Sequence, residues 1–180
     1  YSDFNSINGT YNTADSAVLE TNPVNLTGQT FVKLRFQHIC KIEFFDDAII
    51  EVSVDGGLTW VRLTGAQYLG GSLSFAANNK FTEVSYANWL PGQIVTPDNT
   101  WFQYEEFDIS VLAGNQTDVR VRFNVKDKNI NGMASRYGWN IDDVCILAAP
   151  CELLAPTLIQ LAPIYPSIIY NNGPFNVNAD

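Results

Sequence analysis

The sequence has few cationic residues and a single histidine. Ten Lys and Arg stand against nineteen Asp and Glu, which gives a formal net charge of -9 over 180 residues. Because proteins bind phosphate groups with clustered Lys and Arg, this balance argues against nucleic acid and anionic membrane surfaces as partners. Cations suit an acidic chain better. Histidine-based nucleophilic catalysis has little support either, because His38 falls on the expected core face of a strand.

Cysteines and long apolar runs are also scarce. Cys40, Cys145 and Cys151 form no Cys-x-x-Cys pair, so a structural zinc site is not expected. At most one disulfide can form, and the redox compartment stays open. No stretch approaches the ~20 apolar residues of a membrane span, so we expect no membrane insertion. The chain begins without the features of a signal peptide, as expected for a mature segment of a longer protein.

Short runs of alternating apolar and polar residues are abundant. They occur at 31–42, 48–54 and 119–125, and a period of two is that of a half-buried β-strand. Helical spacing is never sustained over about ten positions. We therefore expect an all-β fold, an antiparallel two-sheet jelly-roll sandwich. The expected core-facing residues are Val32, Leu34, Phe36, His38, Cys40, Ile42, Ala48, Ile50, Val52, Val54, Val119, Val121, Phe123 and Val125. The expected solvent-facing residues are Lys33, Arg35, Gln37, Lys41, Arg120 and Arg122.

Two regions lack this alternation. Residues 65–100, rich in Gly, Asn and Ser with scattered aromatics, predict a long loop region with one or two short strands at most. After Leu147, repeated prolines disfavour a central strand. The sequence thus predicts a jelly-roll domain at residues 1–148. Residues 149–180 are expected to form a Pro-rich linker and the first strand of a following immunoglobulin-like module.

The stretch SVDGGLTW, residues 53–60, has the spacing of an Asp-box, a pattern found in sialidases. Between two predicted strands, glycines can take positive φ and the Asp55 carboxylate can accept hydrogen bonds from turn amides. Trp60 would then pack over the base of the hairpin. A sialidase needs several such boxes on propeller blades and an arginine cluster. The isolated box favours a structural role for Ser53, Asp55, Gly57 and Trp60.

DKNING, residues 127–132, matches the opening of an EF-hand calcium loop. The last position of such a loop carries a bidentate Glu, but here that position is Gly138. No helix is predicted before the loop either. Two interpretations stay open: a looser calcium loop that uses Asp127 and Asn129, or an ordinary Asx turn between strands.

Two carboxylate pairs are further candidate calcium ligands. Asp46 and Asp47 precede one strand, whereas Asp142 and Asp143 lie within the apolar run WNIDDVCIL. Burying a carboxylate without a partner is costly. At least one member of the second pair should therefore meet Ca²⁺, backbone amides or an arginine. The candidate arginines are Arg120, Arg122 and Arg136. Adjacent strand residues face opposite ways, so neither pair offers an acid and a base to one substrate.

Aromatic residues give one more candidate site. Exposed rings can stack on sugars, although most aromatics at this density form core. The rings considered for a stacking platform are Trp89, Trp101, Tyr137 and Trp139. The residues assigned to a candidate ligand site are Trp89, Tyr86 and Tyr137.

Four segments, taken in order, resemble a known family. They are SAVLETNPVNLTGQTFVKLRFQH, DDAIIEVSVDGGLTWVRL, FDISVLAGNQTDVRVRFNV and GWNIDDVCI. Together, over residues 16–147, they resemble MAM-like jelly-roll domains of bacterial secreted proteins, including cleaved-adhesin and choice-of-anchor modules, which are frequent in Bacteroidetes. The resemblance implies a β-sandwich that is commonly stabilised by calcium. It places candidate ligand positions at Asp46 or Asp47 and at the pair Asp142 and Asp143.

The resemblance also implies a function. It indicates a non-catalytic adhesion or accessory module of a larger secreted protein, located extracellularly or at the cell surface and exported by type IX secretion. Its implied partners are a protein or glycan at the cell surface and neighbouring modules of the same chain. One alternative is a carbohydrate-binding module attached to a secreted hydrolase or protease. A hydrolase with an unfamiliar site is the other, and it would need carboxylates that converge in a cleft.

Overall fold

The structure is a computed structural model, and it describes residues 16–90, 97–126, 128 and 137–149. The strands of this part are β1 (Ser16–Glu20), β2 (Phe31–Lys41), β3 (Asp47–Ser53), β4 (Val61–Arg62), β5 (Gln103–Asp108), β6 (Arg120–Lys126) and β7 (Gly138–Ala149). The helices are α1 (Leu73–Asn78) and α2 (Ser110–Ala113), with 3₁₀ turns at Ala87–Trp89 and Asn99–Trp101.

The strands form two antiparallel sheets. One has the order β1-β6-β3-β4 and the other the order β5-β2-β7. Successive strands change sheet at every step except from β3 to β4, which form a hairpin. Alternation between two packed sheets is characteristic of jelly rolls. The expected all-β, two-sheet antiparallel sandwich is confirmed.

The core forms where the apolar faces of the two sheets meet. Phe36 of β2 lies near its centre. Its ring stacks on Phe107 of the same sheet and meets Phe123 of the opposite sheet edge-on, with 5.1 Å between ring centroids. All three side chains are buried. Burying a large apolar side chain contributes about 1.5 to 3 kcal/mol, so this aromatic column is a main source of cohesion between the sheets.

Two positions depart from the predicted alternation. Lys41 was placed on the solvent face, but it is only 2% exposed. Its Nζ lies 5.3 Å from the centre of the Trp101 ring, which covers this end of β2. Val54 was placed in the core, but it is exposed because β3 ends at Ser53 and the chain turns there.

The region 65–100 contains a helix that the sequence pattern did not indicate. The Ser72 hydroxyl accepts a hydrogen bond from the Phe75 amide at the start of α1, and Asn79 closes the helix in the left-handed conformation at φ 57°. A helix of six residues is too short to show a helical period. The aromatic side chains of this region point inward, and Phe75 and Phe81 stack on each other in the core.

The last described strand, β7, ends at Ala149. The predicted linker and following module at 149–180 therefore lie, apart from Ala149, outside the described residues. Within the described part of the chain, no helix is long and apolar enough to cross a membrane.

Candidate functional site

The Asp-box residues lie together in the turn after β3. The Ser53 hydroxyl donates to Asp55 Oδ1 at 2.8 Å and accepts from the Gly57 amide at 2.9 Å. The Asp55 carboxylate also accepts from the amide and the hydroxyl of Thr59. These Thr59 and Ser53 donors lower the pKa of Asp55 to about 2. The Asp55 carboxylate thus stabilises the turn through these hydrogen bonds.

Trp60 fastens this turn to the sheet. Its indole N–H donates to the Gly57 carbonyl at 3.0 Å. The Arg122 guanidinium lies over the Trp60 ring, 4.1 Å from its centre, and its Nε donates to Glu51 at 2.7 Å. Gly57 has φ 87°, a conformation that other residues rarely adopt. The arrangement closes a hairpin, and every group in it has a local structural partner.

Asp46 and Asp47 lie at the start of β3, beside two lysines. Asp47 pairs with Lys80 at 3.3 Å and with Lys128 at 2.8 Å. Burial disfavours the charged form of Asp47, but the hydrogen bonds and charges of Lys128 and Lys80 outweigh it and lower the pKa. Asp46 Oδ1 accepts the backbone N–H of Lys128 at 3.0 Å. Lys128 belongs to the DKNING stretch, whereas Asp127 and Asn129 lie outside the described residues.

Asp142 and Asp143 are not buried, contrary to the sequence prediction. They lie on β7, which has β2 as its one neighbour among the described strands, and both side chains are exposed. Asp143 Oδ2 accepts from Gln37 Nε2 at 2.9 Å, and Asp142 Oδ1 accepts from the Asp143 amide at 2.9 Å. Asp143 has φ 50°, opposite the irregularity in the β2–β7 register between Arg35 and Gln37. The local bulge turns both carboxylates toward solvent, so neither needs a buried cation.

The arginines expected near Asp142 and Asp143 are used elsewhere. Arg120 pairs with Asp118 and Glu20, and Arg122 pairs with Glu51. Arg136 lies outside the described residues. Over the described ranges, no three His, Cys, Asp or Glu side chains come close enough to hold a metal ion. The two carboxylate pairs belong to different sheets.

A buried carboxylate that sequence reasoning missed lies in the core. Glu105 of β5 is 0% exposed and accepts three hydrogen bonds from side chains. The Tyr68 and Tyr86 hydroxyls donate to it at 2.6 Å each, and His38 Nε2 donates at 3.1 Å. At Gly70 a side chain would overlap both the Glu105 carboxylate and the Tyr68 hydroxyl. The three donors supply what a buried carboxylate requires to be tolerated.

The hydrogen bonds define the state of His38. The Trp139 indole N–H can only donate, and it donates to His38 Nδ1 at 2.8 Å. The imidazole proton is therefore on Nε2, facing Glu105. Burial lowers the pKa of His38, although the hydrogen bond and charge of Glu105 act in the opposite direction. Burial and Glu105 also raise the pKa of Tyr68 and of Tyr86. The ring and both phenols are thus held neutral around the carboxylate.

A signal for Glu105 is present in the sequence. Phe107 and Ile109 are core residues, and the same period of two places Glu105 on their face of the strand. His38 lies on the core face of β2, the strand that pairs with β5. In the register Glu105 lies opposite Phe36, so His38 is its diagonal neighbour on the same face. This contact can be predicted only once the pairing of β2 with β5 is known.

The predicted aromatic ligand residues divide into two groups. Trp89 is 0% exposed and donates its indole N–H to the Trp101 carbonyl at 3.0 Å, so it cannot stack on a ligand. The Tyr86 hydroxyl is bonded to Glu105. Tyr137, by contrast, is 45% exposed. Of the assigned ligand residues, Tyr137 is the most exposed.

Tyr137 borders a cleft of about 460 Å³ between the two sheets. Its walls come from β1 and β6 on one side and from the first part of β7 on the other. A second cavity of about 330 Å³ shares Phe102, Tyr137 and Asn140 with the first. The two cavities adjoin at these residues and are together called the edge cleft below. Its main side chains are Leu19, Phe102, Tyr137, Trp139, Asn140 and Asp142.

Compared with known proteins, the chain matches no protein-family model and no curated protein sequence. The fold itself defines the class: an all-β protein built as a two-sheet antiparallel sandwich.

Proposed function

We propose that the chain is a non-catalytic extracellular module of a larger secreted protein, and that it serves adhesion or accessory binding at a cell surface. The partners are a cell-surface protein or glycan and neighbouring modules of the same chain. The proposal draws on the resemblance to MAM-like and cleaved-adhesin modules, including its link to Bacteroidetes and type IX secretion.

One observation supports the proposal most directly: the pair formed by the single histidine and Glu105 is enclosed, while an open cleft lies at the edge of the sandwich. His38 and Glu105 are both fully buried and bonded to each other, so a substrate cannot reach them. General acid–base catalysis needs a group within hydrogen-bond reach of the substrate. The edge cleft, lined by exposed Tyr137 and Asn140, offers contact surface instead.

Cell binding tests this proposal. We expect the fluorescently labelled chain to bind a panel of bacterial and animal cells saturably, more strongly than an unrelated β-sandwich of the same net charge. Protease treatment of the cells should remove a protein partner, and periodate, which cleaves vicinal diols, should remove a glycan partner. Absence of saturable binding across the panel contradicts the proposal. Turnover of a bound glycan or protein would indicate an enzyme instead.

Calcium belongs to the proposal, with its ligands at the start of β3. Ca²⁺ takes about six to eight oxygen ligands, more than the described carboxylates bring together at any point. The hydrogen bond from Lys128 to Asp46 supports a site that combines Asp46 with the DKNING stretch. Such a site would use Asp127 and Asn129, and it would compete with the lysine pairs of Asp47.

Thermal unfolding with Ca²⁺ and with EDTA tests the metal. We expect a higher melting temperature in Ca²⁺, because a ligand that binds only the folded state at tenfold excess over its Kd stabilises that state by about 1.4 kcal/mol. Asp46→Asn should remove the difference. Asp142→Asn, an exposed carboxylate on the other sheet, is the matched control and should keep it. Equal melting temperatures of the wild-type chain in both buffers would rule the calcium site out.

A carbohydrate-binding module is the second candidate function. The edge cleft favours it, since it combines exposed aromatic and polar side chains.

A further inference from the structure

We infer that the edge cleft is the binding site of this module and that it takes a neutral oligosaccharide. This inference rests on the proposed binding function and assigns it a place and a ligand class. The cleft is different from the surface that the sequence suggested, because Trp89 is buried and Tyr86 is bonded to Glu105.

The size of the edge cleft suits an oligosaccharide. Its two parts measure about 460 and 330 Å³ and meet at Phe102, Tyr137 and Asn140. Small-molecule sites usually measure about 300 to 1,000 Å³. Two adjoining cavities of this size can together hold more than one sugar ring.

The lining of the edge cleft combines ring faces with hydrogen-bonding groups. Tyr137 and Trp139 offer aromatic surface, which can cover the apolar face of a sugar ring. Asn140 lines both parts, Asp142 lines the larger and Asn99 the smaller. An amide both donates and accepts and a carboxylate accepts, so together they match hydroxyl groups, which do both.

The charge of the edge cleft selects against anionic ligands. The described residues that line it include no Lys or Arg, while Asp98 and Asp142 are both present. Against the described lining, a carboxylated, sulfated or phosphorylated ligand would meet these carboxylates without a compensating Lys or Arg. A neutral glycan meets no such cost.

Titration of oligosaccharides onto the 180-residue chain tests the inference. The probes are neutral gluco-, manno- and galacto-oligosaccharides, with sialylated, sulfated and uronic-acid-containing ones for comparison. We expect at least one neutral probe to bind and the charged probes not to bind. Tyr137→Ala and Asn140→Ala should each weaken binding about tenfold, the loss that corresponds to 1.4 kcal/mol. Both side chains are exposed, so the variants should keep the wild-type melting temperature.

Tyr104→Ala is the matched control. Tyr104 is 53% exposed and bonds to Glu106 on the outer face of β5, and it does not line the edge cleft. The inference is overturned if no neutral probe binds, if charged glycans or peptides bind in their place, or if Tyr104→Ala weakens binding as much as the cleft variants. Cell binding that survives in Tyr137→Ala would overturn the cleft assignment alone. Failure of the wild-type chain to bind cells would overturn the proposed function itself.

Discussion

Glu105→Ala is expected to lower the free energy of unfolding by about 3 kcal/mol or more, because it leaves three neutral donors without an acceptor and each unsatisfied buried donor costs about 1 to 3 kcal/mol. The substitution leaves the Tyr68 and Tyr86 hydroxyls and the His38 Nε2–H without their acceptor inside the core. A buried donor without a partner retains its full desolvation cost. Thermal and denaturant unfolding should show the loss as a melting temperature lower by roughly 10 °C or more.

Glu106→Ala is the control for this experiment, because the two glutamates are neighbours on one strand with opposite surroundings. Glu106 pairs with Lys33 and Arg35, whose side chains are 45% and 38% exposed. Exposed ion pairs contribute about 1 kcal/mol or less, so this variant should melt close to the wild type. Equal losses for the two variants would contradict the structural role assigned to the Glu105 network.

Sequence reasoning predicted the parts of the fold that follow from alternation along one strand. The run at 31–42 identifies β2, because successive side chains of a strand face opposite ways and one face must be buried. The same rule misplaced Lys41. The Trp101 ring that covers it is distant in sequence, and no local pattern reports which loop folds over the end of a strand.

The same limit explains what was missed at the candidate sites. Asp142 and Asp143 lie in an apolar run, which predicts burial. Burial, however, depends on what covers the strand. Among the described strands, β7 has a neighbour on one side only. Glu105 and His38 meet only because β2 pairs with β5. The edge cleft likewise combines residues of β1, β6 and β7, which are far apart in the chain. Each of these features requires the strand pairing, which alternation alone does not give.

Trp89→Ala should also destabilise the protein by about 3 to 5 kcal/mol, as is typical for removal of a large buried aromatic side chain. Trp89 is fully buried. Its ring meets His38 edge-on at 5.0 Å and Tyr86 at 4.8 Å, so it packs against two members of the Glu105 network. Chemical denaturation is the measurement, because it gives the free energy of unfolding directly.

Trp89→Phe separates packing from hydrogen bonding. Phenylalanine keeps an aromatic ring but cannot donate to the Trp101 carbonyl, so we expect a smaller loss, of about 1 to 3 kcal/mol. The folded fraction of either Trp89 variant should bind oligosaccharide as the wild type does, whereas Tyr137→Ala should lose binding and keep stability. If Trp89→Ala instead kept its stability and lost binding, Trp89 would be a ligand-binding residue, as the sequence predicted. In that case the edge cleft would not be the binding surface.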